Sequence, residues 1–329
     1  MRRAHADAVD GVLLLDKPLA LSSNTALQRV RHLLRARKAG HTGTLDPQAS
    51  GLLPLTFGEA TKFSAGLLDA DKVYRARIAL GVHTDSGDSE GEVLERREVA
   101  VTPERMEAVL AQFRGAIRQV PPMHSALKRD GRPLYALARK GIEVAREARD
   151  IHVARLALTH WDPLLPEVEV ACSKGTYVRV LAQDIGAALG CGAHLAALRR
   201  TRVGGLRVED AISLDELEAA TLEARRSALR PFGCLVETLP CLQVDEACAR
   251  RLRHGQRIAL ADLQALPEMK PDALSGLSGG ARLRVVDGMG QLLGLARIED
   301  GCLAPARLIA QTTAQTSAQE MNSQIEEVL

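Results

Sequence analysis

One histidine and one carboxylate stand inside a run of residues suited to bending: Gly40-His41-Thr42-Gly43-Thr44-Leu45-Asp46-Pro47-Gln48-Ala49-Ser50-Gly51-Leu52-Leu53-Pro54. Three glycines and two prolines in fifteen positions rule out a regular helix and favour a loop with fixed bends. Small residues around His41 and Asp46 let another molecule approach the main chain, and a flat ligand fits such a surface. Taken alone, an aspartate before proline is ordinarily an Asx turn or a helix cap. Asp46 becomes a candidate for chemistry only through what surrounds it.

The neighbouring segments set its position. Residues 11–16 read as a short buried strand ending at Asp16-Lys17-Pro18. Ser22 or Ser23 caps a helix over about 24–38, with Leu27, Val30, Leu33 and Leu34 as its apolar stripe. Arg31, Arg35 and Lys38 follow at i, i+4 and i+7 on its other side, joined by Arg29 and Arg37, with no acid in that stretch. Such a face suits phosphate contact as well as plain solvation. Gly40 ends this helix and delivers the chain into the bent run. Residues 73–80 alternate as a strand, with Tyr74, Ala76, Ile78 and Leu80 on one face and Arg75 and Arg77 on the other. A polar, turn-rich loop over 84–91 and a helix over about 103–113 come next.

From His124 to Arg155 the chain carries eight lysines and arginines, Lys128, Arg129 and Arg132 among them, against four acids. Gly131 and Gly141 break it into short pieces, and such a basic insert is poor core material. Strands over about 151–159 and 166–172 lead to the Ser173-Lys174-Gly175 turn and a helix over 176–189, with Tyr177 and Arg179 in its first turn. Arg179 shares the polar side with Gln183 and Gly186, where an arginine is ordinarily solvated. Arg199, Arg200, Arg202 and Arg207 form a second basic cluster, and a helix over 215–230 leads to a boundary near Pro231-Phe232-Gly233. Beyond it, 245–253 reads as a helix and 261–281 as a long loop rich in Pro, Gly and Ser. Three strand-like runs over 282–307 are separated by hairpin signals at Asp287-Gly288-Met289-Gly290 and Asp300-Gly301. The tail from Gln311 has the composition of a disordered segment.

Bulk properties narrow the field. The 329 residues allow one large domain and a small one, and 46% hydrophobic with 26% charged residues describes a soluble globular chain. A net charge of only +2 leaves any nucleic-acid recognition to local patches, and three Tyr, four Phe and one Trp make the core aliphatic. The six cysteines include no C-x-x-C pair and no histidine at zinc-ligand spacing. No apolar stretch follows Met1-Arg2-Arg3, so neither a signal peptide nor a membrane span is expected, and the cytoplasm is the simplest location.

The bent run resembles the catalytic loop of the TruB family of tRNA pseudouridine synthases, G-H-T-G-x-L-D-P-x-A-x-G-x-L-P. The resemblance extends to Gly11-Val12-Leu13-Leu14-Leu15-Asp16-Lys17-Pro18, Gly58-Glu59-Ala60-Thr61-Lys62 and Lys72-Val73-Tyr74-Arg75. It continues through Cys172-Ser173-Lys174-Gly175-Thr176-Tyr177-Val178-Arg179, Gly190-Cys191-Gly192-Ala193-His194-Leu195 and Leu198-Arg199-Arg200, all in family order. It implies an α+β pseudouridine synthase fold over 1–232, a mixed and largely antiparallel sheet flanked by helices. The basic insert, about 124–152, corresponds to a thumb that grips RNA. A small PUA-like β-barrel over 233–310 and a tail over 311–329 complete the expected organisation.

The implied reaction converts uridine 55 in the T loop of tRNA to pseudouridine: C1′–N1 breaks, the uracil turns over, and C5 joins C1′. Nothing is oxidised or hydrolysed overall, so no cofactor and no metal is called for. By the resemblance Asp46 is the nucleophilic carboxylate and Arg179 its salt-bridge partner, favouring the charged form. Tyr74 lies against the uracil and is a candidate base for the late deprotonation, a demanding role for a phenol with an ordinary pKa of about 10. Extruding the base costs a few kcal/mol, and His41 is placed to fill the vacated stack. Tyr177 and Leu198 match positions that contact the flipped nucleotide. Lys17 and Lys62 are assigned to phosphate contact or loop support, and Arg31, Arg35, Lys38, Lys128, Arg129 and Arg132 to the RNA backbone. The expected partner is the T arm of tRNA, with no membrane, no obligatory protein partner and a monomeric chain. A synthase subunit of a guide-RNA particle and an RNA-binding or tRNA-folding protein are the competing readings. A glycosidase would need a second carboxylate, for which Asp85 or Asp88 could be nominated.

Overall fold

The computed structural model describes residues 7–125, 127–129, 131–138, 140–263 and 280–309. They form two compact units: one holds the chain up to Phe57 together with Ser64–Arg230, the other Gly58–Phe63 together with the chain from Pro231. The first unit opens with β1 (Gly11–Lys17), α1 (Ser23–Leu33), β2 (Ala39–His41), β3 (Ala49–Phe57) and, later, β4 (Lys72–Leu80).

The apolar run Val12-Leu13-Leu14-Leu15 is what a strand covered on both faces needs. Accordingly β1 lies inside a ten-stranded sheet, antiparallel to β3 and parallel to the short Ile212–Ser213. From β3 the pairing runs to Ala193–Val203, β4, Glu167–Cys172, Arg149–His160 and Gly115–Gln119. The contacts of β1 with Ile212–Ser213 and of β3 with Ala193–Val203 are parallel, the others antiparallel. This is the expected mixed, largely antiparallel α+β architecture.

Two apolar clusters fill the unit. One joins Ala76, Ile78 and Leu80 of β4 to the helices Pro103–Gln112 and Val178–Leu189. The other joins Leu13, Leu15, Leu53 and Leu55 to Ala26, Leu27 and Val30 of α1. Tyr74 and Leu198 pack against both, so they mark the seam between the clusters.

Several expectations are corrected. Helix α1 stops at Leu33 rather than Lys38 because Arg35 adopts a left-handed conformation, φ 55°. Arg35 N then donates to His32 O and Ala36 N to Arg31 O, both at 3.0 Å, which closes the helix as a glycine would. Arg31, Arg35 and Lys38 are all exposed, yet they do not share one helical face, and Gly40 lies within β2. The span 215–230 holds two short helices, Leu214–Ala219 and Leu222–Ser227, because Thr221 caps the second through Ala224 N.

In the second unit a five-stranded sheet runs Cys241–Gln243, Arg282–Val286, Leu292–Glu299, Cys302–Leu308, Ile258–Ala259. It curls as a half-barrel over Leu242, Leu252, Leu283 and Leu303 rather than closing into a barrel. The outer strands, of three and two residues, are too short for an alternating pattern to reveal. The tail from residue 311, most of the 261–281 loop, and the side chains of Lys128, Arg129 and Arg132 lie outside the described residues. Among the described residues no helix is long and apolar enough to cross a membrane.

Candidate active site

The bent run is a shorter loop than its composition suggests, because β2 and β3 take its ends and leave residues 42–48. Asp46-Pro47-Gln48-Ala49 is a turn closed by Ala49 N donating to Asp46 O at 3.0 Å, with proline in its favoured second position. Pro54 sits inside β3, where proline is ordinarily excluded. It is tolerated because that edge of β3 changes partner there, from Leu198–Arg200 to β2, and Pro54 O still accepts from Thr42 N at 3.1 Å.

Leu45 holds the loop down. Its side chain is buried, its N–H donates to Ser23 Oγ at 2.7 Å, and the Ser23 hydroxyl donates to Leu45 O at 2.9 Å. The next side chain, Asp46, is thereby turned outward and is 51% exposed. A carboxylate at the tip of a tied-down turn can meet a substrate without rearrangement.

Arg179, near the start of helix Val178–Leu189, meets it. Its Nη2 lies 3.0 Å from Asp46 Oδ2 and donates to His124 O at 2.6 Å. Its Nη1 donates to Asp88 Oδ2 at 3.2 Å and reaches Ser86 O at 3.4 Å. One guanidinium thus orients the outward carboxylate and is itself aimed by a second, more buried one. Arg179 is buried, which corrects its placement on a solvated polar face. That face of the helix packs on the 83–88 segment, where Gln183 Nε2 donates to Thr84 O at 3.0 Å, and on the start of the Ala193–Val203 strand, where a Cβ at Gly186 would stand 2.2 Å from Ala193 N. A further tie runs from Gln48 Nε2 to Glu90 Oε1 at 2.7 Å. Ser86, His124 and Gln183 also line a cleft of about 430 Å³ with Asp85 and Arg146.

Beneath the loop the chemistry is different. Arg200, one of the second basic cluster, is 1% exposed. Its Nε donates to Leu52 O at 2.8 Å, its Nη2 to Gly43 O at 3.2 Å, and it hydrogen-bonds the Tyr74 phenol. Burial raises the Tyr74 pKa above its ordinary value, which works against the phenolate that a base would need. The half-buried ring therefore suits stacking as a neutral phenol. His41 is held below its ordinary pKa by burial and then by Arg200, so its imidazole is neutral at pH 7.

Lys17 is fully buried and donates to Pro18 O at 2.7 Å and Leu21 O at 2.6 Å. This removes phosphate contact from its expected roles and leaves loop support. Burial lowers its pKa to about 8 despite the attraction of Asp46. Lys62 belongs to the second unit, where its ammonium pairs with Glu59 at 2.6 Å. Tyr177 caps its helix and is clamped by Gln119, which accepts from Tyr177 N at 2.8 Å and donates to Tyr177 O at 3.1 Å. Leu198, half-buried, stands across from Ala49 and Ala76.

The profile of TruB family pseudouridylate synthase (N terminal domain) matches residues 31–178. Two further profiles, tRNA pseudouridylate synthase B C-terminal domain and Pseudouridine synthase II TruB, C-terminal, match 179–237 and 240–309. A tRNA pseudouridine synthase B of Burkholderia mallei is 56% identical over 92% of this chain and 97% of its own. The chain belongs to the TruB family of pseudouridine synthases. A relative of the same description in Thiobacillus denitrificans is 54% identical over 93% of this chain and 98% of its own. Among solved structures, a Cbf5-Nop10-Gar1 complex superposes with a TM-score of 0.69 at 26% identity, covering 93% of this chain and 85% of the matched one. An H/ACA ribonucleoprotein bound to a substrate RNA gives 0.70 at 24%, over 92% and 85%, and speaks for the fold.

Three residues of this TruB-family site escape sequence reasoning. Asp88 reads in the sequence only as part of a polar loop or as a nominal glycosidase carboxylate, and no local pattern singles it out from Asp85 or Glu90. Gln119 ends a strand before Val120-Pro121-Pro122 with nothing to mark it. Arg200 has a readable signal, its pairing with Tyr74 and Gly51 on adjacent strands, only once the strand register is known.

Proposed function

We propose that this TruB-family chain converts uridine 55 in the T loop of tRNA to pseudouridine, acting in the cytoplasm without a guide RNA or protein partner. The observation that carries the reading is the outward Asp46 carboxylate, ion-paired at 3.0 Å to a buried Arg179 beside the seam where Tyr74 lies. The everted uridine stacks on Tyr74. Asp46 either attacks C1′, forming an ester bond that breaks when C5 displaces the carboxylate, or assists loss of the C2′ proton to a glycal, that proton being returned on rejoining. In either route C1′–N1 breaks, the uracil turns, C5 bonds to C1′, and the proton lost from C5 is balanced by one gained at N1. Arg179 keeps the carboxylate aimed throughout. His41, neutral, fills the vacated stack, and Tyr177 and Leu198 contact the flipped nucleotide. Arg31, Arg35 and Lys38, with Lys128, Arg129 and Arg132 of the basic insert, follow the RNA backbone.

The relatives at 54–56% identity, described as tRNA pseudouridine synthase B, support a tRNA substrate over the guided particle. Purified protein incubated with an unmodified tRNA transcript tests this. Carbodiimide treatment and primer extension should give a stop at position 55 with no added RNA or protein. A stop that requires a guide RNA returns the chain to the particle class.

A further inference from the structure

Arg200 is a costly residue to bury. Among the described residues it makes no ion pair with a carboxylate, and its surroundings are Lys17, His41, Lys72 and Tyr74, three of them basic. A guanidinium so placed opposes the protonation of Lys17, His41 and Lys72. An apolar side chain at the same position would avoid both the desolvation and the repulsion. Stability of the core therefore does not account for it.

Its hydrogen bonds do. Gly43 O and Leu52 O, its two carbonyl acceptors, stand at opposite ends of the segment 44–51 that carries Asp46. A third partner is the Tyr74 phenol, its cross-strand neighbour in β4. The backbone joins in: Gly51, φ 101°, is pressed against Arg200 so closely that a Cβ would fall 2.2 Å from Arg200 O. One planar, multiply donating group thus spans both necks of the catalytic loop and the ring beside it. A lysine has the charge without the fork.

We propose that Arg200 is a positioning residue: it fixes the Asp46 loop and the Tyr74 ring as one rigid pair, setting where the carboxylate stands relative to a stacked base. This rests on the reading of Asp46 as the catalytic carboxylate. The test compares full-length wild type, Arg200→Lys, Arg200→Gln and Asp46→Asn on a tRNA transcript, recording single-turnover rate, tRNA affinity, melting temperature and amide exchange in residues 43–52. Misplacement of a reacting group by an ångström costs about 100-fold. Arg200→Lys is expected to lose about that factor in rate with tRNA affinity within about threefold, and to exchange faster at 43–52. Arg200→Gln should be slower still, so that restoring the charge with lysine rescues part of the loss.

A lower melting temperature with an unchanged rate overturns the proposal, as does a loss confined to tRNA affinity. If both Arg200 variants fail to fold, Tyr74→Phe decides. It removes only the hydroxyl that anchors Arg200, and unchanged exchange at 43–52 overturns the coupling, while faster exchange there supports it. An active Asp46→Asn removes the underlying reading. An inactive Asp46→Asn beside a fully active Arg200→Lys removes only this one.

Discussion

Two arginines flank the Asp46 loop, and they are solvated by the protein in opposite ways. Arg179, on the outer side, is held by two carboxylates, Asp46 and Asp88, with backbone carbonyls completing its shell. Arg200, on the underside, has backbone carbonyls and a phenol. The first arrangement offsets a buried charge with opposite charges and leaves one of them, Asp46, half exposed. The second uses a buried charge as a rigid connector. Where a cation meets carboxylates its removal strands their charge; where it meets carbonyls its removal loosens geometry.

Short of changing the carboxylate itself, Arg179→Met should have the largest effect. It strands Asp88, whose side chain is 15% exposed, and frees Asp46. A single-turnover assay should show a fall of about 10³-fold, and chemical denaturation a loss of about 3 kcal/mol. A loss of about 100-fold or less would put Arg179 on a par with Arg200 and erase the contrast.

Gly51→Ala strikes the underside through the backbone. The added Cβ meets Arg200 O, N and C at 2.2, 2.8 and 3.0 Å, main-chain atoms that cannot swing aside. Thermal or urea unfolding should register a loss of about 2–3 kcal/mol. A neutral result would mean that β3 and the Ala193–Val203 strand can separate without cost.

A smaller effect is expected for Asp88→Asn, which keeps an oxygen for Arg179 and removes the charge. The rate should fall about tenfold with tRNA affinity unchanged. An equal loss in affinity would make Asp88 an RNA contact instead.

The smallest effect is one of pH. Lys72 is buried and donates to Leu67 O, Leu68 O and Ala70 O, and burial, then Arg200, lowers its pKa to about 8. Its unfolded value is about 10.5, so between the two the folded chain binds fewer protons and stability rises with pH. Lys72→Met lacks that rise. Its deficit against wild type should widen by about 1 kcal/mol between pH 7.5 and 9, measured by urea denaturation at each pH. A constant deficit would mean that Lys72 releases its proton at the same pH folded and unfolded.

The comparison also shows what could be read in the sequence. The bent run and the alternating strand of Tyr74 were legible because glycine, proline and strand periodicity are local signals, whereas Asp46 stood out only through the resemblance of that run to the TruB loop. The tie-down of the loop was not: Ser23 reads only as a candidate helix cap, a place that Ser22 takes, and its bonds to Leu45 twenty-two residues away exist only in the fold. The end of α1 was not, because an arginine takes the left-handed position where the eye looks for glycine. Nor was the burial of Lys17, Arg179 and Arg200: charge reads as surface until strand register and helix packing show which acceptors surround it. Asp88 lies ninety-one residues from Arg179 and meets it only in the fold.

The most direct measurement is Asp46→Asn in the full-length protein, with tRNA binding and single-turnover pseudouridine formation followed in parallel. Asparagine keeps the size and a hydrogen-bonding oxygen and removes the ionised carboxylate. Binding within a few-fold of wild type and no detectable product is the predicted result. Measurable turnover with the amide in place would contradict the role assigned to Asp46.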